Sequence, residues 1–273
     1  MYKKVVYSLV VFTFLTSSLL VAQANEAQEF TIYNATSLQR KGGMEVKVFN
    51  NLFSADYQNL DSKYRSNYFS SFVQTLYGVG NFDVGLDVVL KSNLVNDYDL
   101  QSPLRAVHFS MFSEERQVGN SDIITSANSG LAHIGPKIKF VPFRKIPALA
   151  LQQTLYVPVL KAVDGKFIWA SQFFYNRLIT PKQQLFVEAT IWQPIGEAWN
   201  FPFVKGFYSY FPNLRWTIYG TTTLLVEWGA GMKYQLLPGV EAELLYTRYL
   251  PIDPVINRVG DARTFNLGFR WTR

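Results

Sequence analysis

The chain has 273 residues, no cysteine, 26 Lys and Arg against 20 Asp and Glu for a net charge of +6, and an aromatic content of 16%. The missing cysteines exclude disulfide frameworks, thiolate metal sites and cysteine nucleophiles. The basic residues are scattered among acids rather than clustered, which argues against a nucleic-acid partner.

Residues 1–24 begin with Lys3 and Lys4, continue through an apolar run from Val5 to Val21, and end in Ala22-Gln23-Ala24. That order predicts a signal peptide cleaved after Ala24. The run is short and broken by Thr13, Thr16, Ser17 and Ser18, which disfavours a retained anchor. A mature chain of about 249 residues with a charge of +4, after loss of Lys3 and Lys4, remains. No later stretch reaches the roughly 18 to 20 apolar residues a helix needs to cross a bilayer, so insertion would require a closed barrel. Residues 25–43 read as a polar periplasmic lead outside the barrel, holding one alternating piece, Phe30-Thr31-Ile32-Tyr33.

The transmembrane barrel is assigned to residues 44–273. Its clearest strand is 81–91, with Phe82, Val84, Leu86, Val88 and Leu90 on one face and Asn81, Asp83, Gly85, Asp87 and Lys91 on the other. An apolar outside and a charged inside are the mark of a membrane barrel. The same reasoning predicts twelve strands at 44–57, 67–77, 81–94, 131–141, 148–159, 169–179, 184–193, 203–211, 216–224, 226–236, 240–250 and 263–272. Ten is the alternative if residues 203–224 are over-divided around Pro212. Short links rich in turn residues, such as Gly78-Val79-Gly80 and Leu237-Pro238-Gly239, alternate with longer ones. Short periplasmic turns and long outside loops place both termini in the periplasm. The longest link, 95–130, is expected to fold over or into the outer mouth, or to move freely as a surface loop. Rings at strand ends, Tyr77, Tyr156, Trp169, Tyr175, Trp192, Tyr210, Trp216, Tyr249 and Trp271, suit two aromatic girdles.

Alternation assigns Glu45, Lys47, Asp83, Asp87, His133, Lys137, Lys139, Glu188, Glu227, Lys233, Glu241 and Glu243 to the lumen. A cation on the lipid face costs about 2–4 kcal/mol at the midplane, so inward placement follows from the membrane alone. Two readings stay open. The charges brace and block the barrel as ion pairs, or Lys137, Lys139, Asp83 and Asp87 select solutes in a narrow pore.

Two histidines are too few for a histidine metal site, no acidic run matches a calcium loop, and no phosphate-binding glycine loop is present, so no cofactor is implied. Gly229 and Gly231 lie mid-strand and fit relief of crowding inside the barrel. His108-Phe109-Ser110 has the His-x-Ser spacing of the outer-membrane phospholipase, also a twelve-strand barrel, but lacks its Ser-Asn-Gly context.

The stretches Ile134 to Phe143 (IGPKIKFVPF), Leu76 to Gly80 (LYGVG) and Glu243 to Pro251 (ELLYTRYLP) resemble segments of bacterial outer-membrane transporter barrels, a group similar to the "MetA-pathway of phenol degradation" barrel family. The resemblance implies passage of small solutes, hydrophobic ones included, and carries over no site residues. The last strand, with Asn266, Gly268 and Trp271, resembles the C-terminal signal read by the barrel-assembly machinery, although Arg273 stands where that signal has an aromatic. The expectation is an all-β, antiparallel up-and-down barrel, a monomer in contact with outer-membrane lipid, acting as a passive channel or transporter for small solutes. A closed barrel working through its outside loops and an acyl-ester hydrolase are the alternatives.

Overall fold

A strand that touches lipid on one side and polar groups on the other must alternate, and in the bilayer its backbone must be paired on both edges. The computed structural model describes residues 36–58, 63–97, 102–112, 114–118, 125–143, 145–160, 165–198, 200, 202–223, 227–249 and 259–273. The signal peptide and the Phe30 to Tyr33 piece lie outside these residues.

The strands are β1 (Met44–Gln58), β2 (Lys63–Gly78), β3 (Phe82–Asp97), β4 (Glu114–Val118), β5 (Thr125–Phe140), β6 (Leu149–Pro158), β7 (Ile168–Thr180), β8 (Gln183–Pro194), β9 (Phe203–Tyr210), β10 (Trp216–Thr223), β11 (Glu227–Leu237), β12 (Val240–Tyr249) and β13 (Val259–Thr272). All but β4 form one closed, antiparallel, twelve-strand barrel, in which β3 pairs directly with β5 and β13 returns to β1. The closing ladder runs from Glu45↔Thr272 to Tyr57↔Val259. It is finished by Met44 and Arg273, whose N–H groups each donate to the other's carbonyl at 3.0 and 2.9 Å.

The hairpin around Pro212 is two strands, β9 and β10, so the ten-strand alternative is not realised. Asn213 shapes its turn by accepting from the N–H groups of Arg215 and Trp216 at 2.9 and 3.1 Å. Gly80 (φ +130°) and Gly239 (φ +77°) occupy the left-handed backbone that the tight turns after β2 and β11 require.

The 95–130 link departs from expectation. β3 continues to Asp97, β5 begins at Thr125, and β4 pairs with the top of β5 from Glu114↔Ser129 to Val118↔Thr125. The wall therefore extends beyond the alternating part of the sequence. Thr125-Ser126-Ala127-Asn128-Ser129-Gly130 has no apolar face to betray a strand. Between β3 and β4, residues 102–112 hold a 3-10 turn, Pro103–Ala106, that packs on β1, β2 and β3 rather than covering the mouth.

The two faces separate as expected. Val84, Leu86 and Ile138 stand 39, 41 and 38% exposed on the outside, while Asp83, Asp87, Lys137 and Lys139 are buried on the inside. Replacing Leu86 by Arg should lower stability by about 2–4 kcal/mol, read as an earlier urea midpoint in detergent micelles or bilayers. An unchanged midpoint would place Leu86 outside the lipid-facing band.

Candidate functional site

The inner wall divides into a charged sector and an aromatic sector. On β3 and β5, cross-strand neighbours put Lys137 two residues from the position opposite Asp87, and the two side chains form an ion pair that is 1 and 0% exposed. Tyr156 on β6 donates to the same carboxylate at 2.8 Å. A girdle of ion pairs follows round the periplasmic half. Glu45 meets Lys47 at 2.9 Å and Arg270 at 3.9 Å, Arg270 meets Glu241 at 3.2 Å, and Lys233 meets Glu243 at 3.3 Å and Glu241 at 4.0 Å. Glu243 also accepts from the Tyr219 hydroxyl.

Nearer the outer end, Lys205 reaches Glu227 at 3.2 Å and Thr223 donates to Glu227 at 2.9 Å. Glu188 accepts from Gln172 at 2.9 Å and Thr190 at 2.8 Å. His133 Nε2 lies 3.1 Å from the Lys166 carbonyl, beside the ring of Tyr156. Each of the twelve candidate lumen residues thus has a partner in the wall, the lead or, for His133, the β6–β7 link.

Asp83 and Lys139 hold the lead. The Gln39 N–H donates to both Asp83 carboxylate oxygens at 3.0 and 3.1 Å, and Lys139 donates to the Ser37 carbonyl at 2.7 Å. Thr36 is fully buried, and the Gly42 N–H donates to the Gly78 carbonyl at 2.8 Å. Gly78 permits this approach, because a Cβ there would fall 2.2 Å from the Arg40 carbonyl oxygen. The described end of the lead, residues 36–43, is therefore strapped to the wall at the periplasmic end. The charges expected to select solutes, Asp83, Asp87, Lys137 and Lys139, are committed to the strap and to one buried pair.

The aromatic sector was absent from the sequence reading. Phe174, Phe186, Phe207 and Tyr219 come from four adjacent strands, β7 to β10, and their ring centroids follow at 6.0, 5.4 and 6.0 Å. They share the parity of Glu188 and Lys205, a signal that was available in the alternation. Tyr156, Trp192 and Tyr249, read as girdle rings, face inward instead. Tyr156 stacks on Trp192 at 5.1 Å, and Tyr249 lines the lumen. Strand ends carry both faces, so position along a strand does not fix the side a ring takes. Tyr77, Trp169, Tyr175, Tyr210 and Trp216 are exposed, from 37 to 50%.

Gly231 lies directly opposite Tyr219, and a Cβ there would come within 2.4 Å of its ring. Relief of crowding is the role this glycine plays, because it leaves the space the tyrosine fills.

The rings and partly exposed lysines line a cavity of about 430 Å³, which shares Glu188, Lys205, Glu227 and Tyr249 with a second of about 230 Å³ toward the outer end. Lys205 and Lys233 lie 5.9 and 5.6 Å from the ring centres of Phe207 and Tyr219. Ser110 lies outside the lumen in the 102–112 segment, where its hydroxyl donates to the Phe112 carbonyl at 2.8 Å and accepts from the Phe112 N–H at 3.3 Å. That local turn gives the serine a structural use.

No protein-family model and no curated protein matches the sequence. The fold is similar to the COG4313 outer membrane channel from Pseudomonas putida F1, with a TM-score of 0.55 and 10% identity over 89% of this chain and 99% of that one. The Pseudomonas putida toluene transporter TodX gives a TM-score of 0.45 at 9% identity over 84% of this chain and 89% of its own. The translocator domain of the autotransporter NalP from Neisseria meningitidis gives 0.46 at 9% identity, over 97 and 96%. At these identities the likeness is one of fold, and it is the fold of an outer-membrane barrel.

Asp87→Ala should cost about 3–5 kcal/mol, because it strands the Lys137 ammonium in a buried site. Urea unfolding checks this, and Asp87→Asn with Lys137→Met should recover most of the loss. The exposed Lys166–Glu197 pair, at 2.6 Å, should contribute about 0–1 kcal/mol by the same measurement. Asp83→Ala with Lys139→Ala should speed tryptic cleavage after Arg40 and Lys41 severalfold, and an unchanged rate would mean that these two side chains do not hold the lead.

Proposed function

We propose that the protein is a passive channel for small solutes that carry an apolar face and a polar edge. The observation that supports this most directly is the row of Phe174, Phe186, Phe207 and Tyr219 along a continuous cavity. Rings stacked at these distances offer a sliding surface for a flat apolar group. The lysines beside them, Lys205 and Lys233, have side chains 27 and 22% exposed and offer donors to its polar edge.

Charge selection, on this reading, falls to Lys205 and Lys233 and not to Lys137, whose charge is spent on Asp87. The similarity to an outer-membrane channel fold supports a transport role, and the sequence resemblance supports hydrophobic solutes among the cargo. A resting barrel closed from the periplasm has one observation in its favour, the docking of residues 36–43 on Asp83 and Lys139. The two readings are states of one channel if the strap releases.

Single-channel recording in a planar bilayer tests the proposal. Stepwise conductance is expected, with transient block when benzoate is added. Phe186→Ala with Phe207→Ala removes two stacking surfaces at about 0.5–1.5 kcal/mol each, which should shorten each block by roughly 5- to 150-fold. A silent bilayer containing folded barrel, in both the parent and the Asp83→Ala/Lys139→Ala variant, would overturn the channel reading.

A further inference from the structure

The face of β1–β3 that looks away from the lumen changes character along its height. Low on β3, Val84 and Leu86 are 39 and 41% exposed, as lipid-facing residues should be. Higher up, residues of the same outer parity are almost fully buried: Phe69 at 3%, Leu94 at 1%, Ser92 and Asn67 at 0% and Ser54 at 4%. Register confirms the side. Leu52 pairs with Phe69 and Asn67 with Leu94, whereas the lumen-lining Phe49 pairs with Phe72. Something covers the outer wall here.

Among the described residues, the cover is 102–112. Ala106, fully buried, packs with Phe69 and Leu94, joined by Leu52 and Val107, and the ring of Phe109 meets Phe69 edge-on at 5.0 Å. Local bonds shape the segment. Ser102 caps the 3-10 turn by accepting from the Leu104 N–H, and Ser110 closes the turn at Phe112. The segment therefore has an inner face against the barrel. Its other face carries Leu104, Met111 and Phe112, exposed by 68, 55 and 74%.

Its depth follows from strand geometry. Phe69 lies nine residues above Gly78 on β2, about 23 Å at roughly 3.3 Å per residue and a tilt near 40°, against an apolar band about 25 Å tall. The segment thus sits at the outer edge of that band, on its lipid side. Three large apolar side chains there stand exposed, as Val84 and Leu86 do lower down.

We propose that residues 102–112 are an outer-leaflet anchor, a flap that covers the upper wall of β1–β3 and inserts Leu104, Met111 and Phe112 among the acyl chains. The partner is a lipid surface. What the flap contributes is apolar burial, since Ala106 and Val107 close over Phe69, Leu94 and Leu52. Large apolar groups beside a backbone held by its own turns are the means by which interfacial segments bind a bilayer. The inference rests on the reading of the chain as a membrane-spanning barrel.

The chain has no cysteine, so a single introduced thiol can carry a probe. Phe112→Cys and Met111→Cys, each labelled with an environment-sensitive fluorophore, would be reconstituted in phosphatidylcholine–phosphatidylglycerol vesicles. Quenching by spin-labelled acyl chains is then compared with quenching by iodide. Leu86→Cys on the wall and Lys182→Cys in the β7–β8 turn are the lipid and water references. Both flap probes should match Leu86→Cys, with acyl-chain quenching severalfold stronger than at Lys182→Cys and iodide quenching severalfold weaker. Flap probes that behave like Lys182→Cys, while Leu86→Cys stays lipid-quenched, would overturn the anchor alone. Loss of lipid quenching at Leu86→Cys as well would overturn the membrane-barrel reading on which it rests.

Discussion

Closure of the backbone ladder between β1 and β13 is the constraint on which the rest of the structure depends. Hydrocarbon offers no partner to an N–H or C=O, so a strand left with an open edge inside the bilayer loses several kcal/mol for each unmet group. The ladder from Glu45↔Thr272 to Tyr57↔Val259 removes that edge for the first and last strands together. Direct pairing of β3 with β5 does the same across the long link. Once the ring is shut, every strand has one face toward lipid and one toward the lumen, and all charge in the membrane zone is forced inward.

Twelve inward faces crowd acids and bases into a space where burial makes an unpaired charge costly. The outcome is the chain of contacts from Glu45 through Arg270, Glu241 and Lys233 to Glu243 and Tyr219, crossing β1, β13, β12, β11 and β10. Such pairs brace adjacent strands and use up the charge that would otherwise set ion preference. The side chains that line the remaining space are the rings of β7 to β10, the amides between them, and the partly exposed ends of Lys205 and Lys233, each paired with a glutamate.

How much of this was legible in the sequence depends on what enforces each feature. Strand number and face were legible because lipid imposes them, and Asp83-Val84-Gly85-Leu86-Asp87 shows the alternation residue by residue. The extension of β5 through Thr125 to Gly130 was not, because a strand with polar groups on both sides leaves no period to read. Inward charges were found, and their bracing as ion pairs was one of two readings left open; which side chains meet was not legible, since Lys137 reaches Asp87 two residues off the directly opposite position. Arg270 has the parity of Gly268 and Asn266 yet escaped notice beside the aromatics of the last strand. The rings of Phe186 and Phe207 were overlooked for a related reason. Aromatic residues were assigned to the membrane interfaces by type, although their spacing from Glu188 and Lys205 placed them inside.

The lead was read as lying outside the barrel, and the docking of its described end on the inward-facing Asp83 and Lys139 was not legible, because it uses backbone groups that every sequence possesses. Gln39 and Ser37 contribute an N–H and a carbonyl, and the specificity lies in Asp83, Lys139 and the missing Cβ of Gly78. This arrangement gives the lumen its asymmetry. The strap lies on the β3–β5 side, one strand away from the row of rings that starts on β7. The strap uses β3 and β5, the chain of ion pairs runs over β10 to β13 and β1, and the phenylalanine rings stand on β7 to β9 between them.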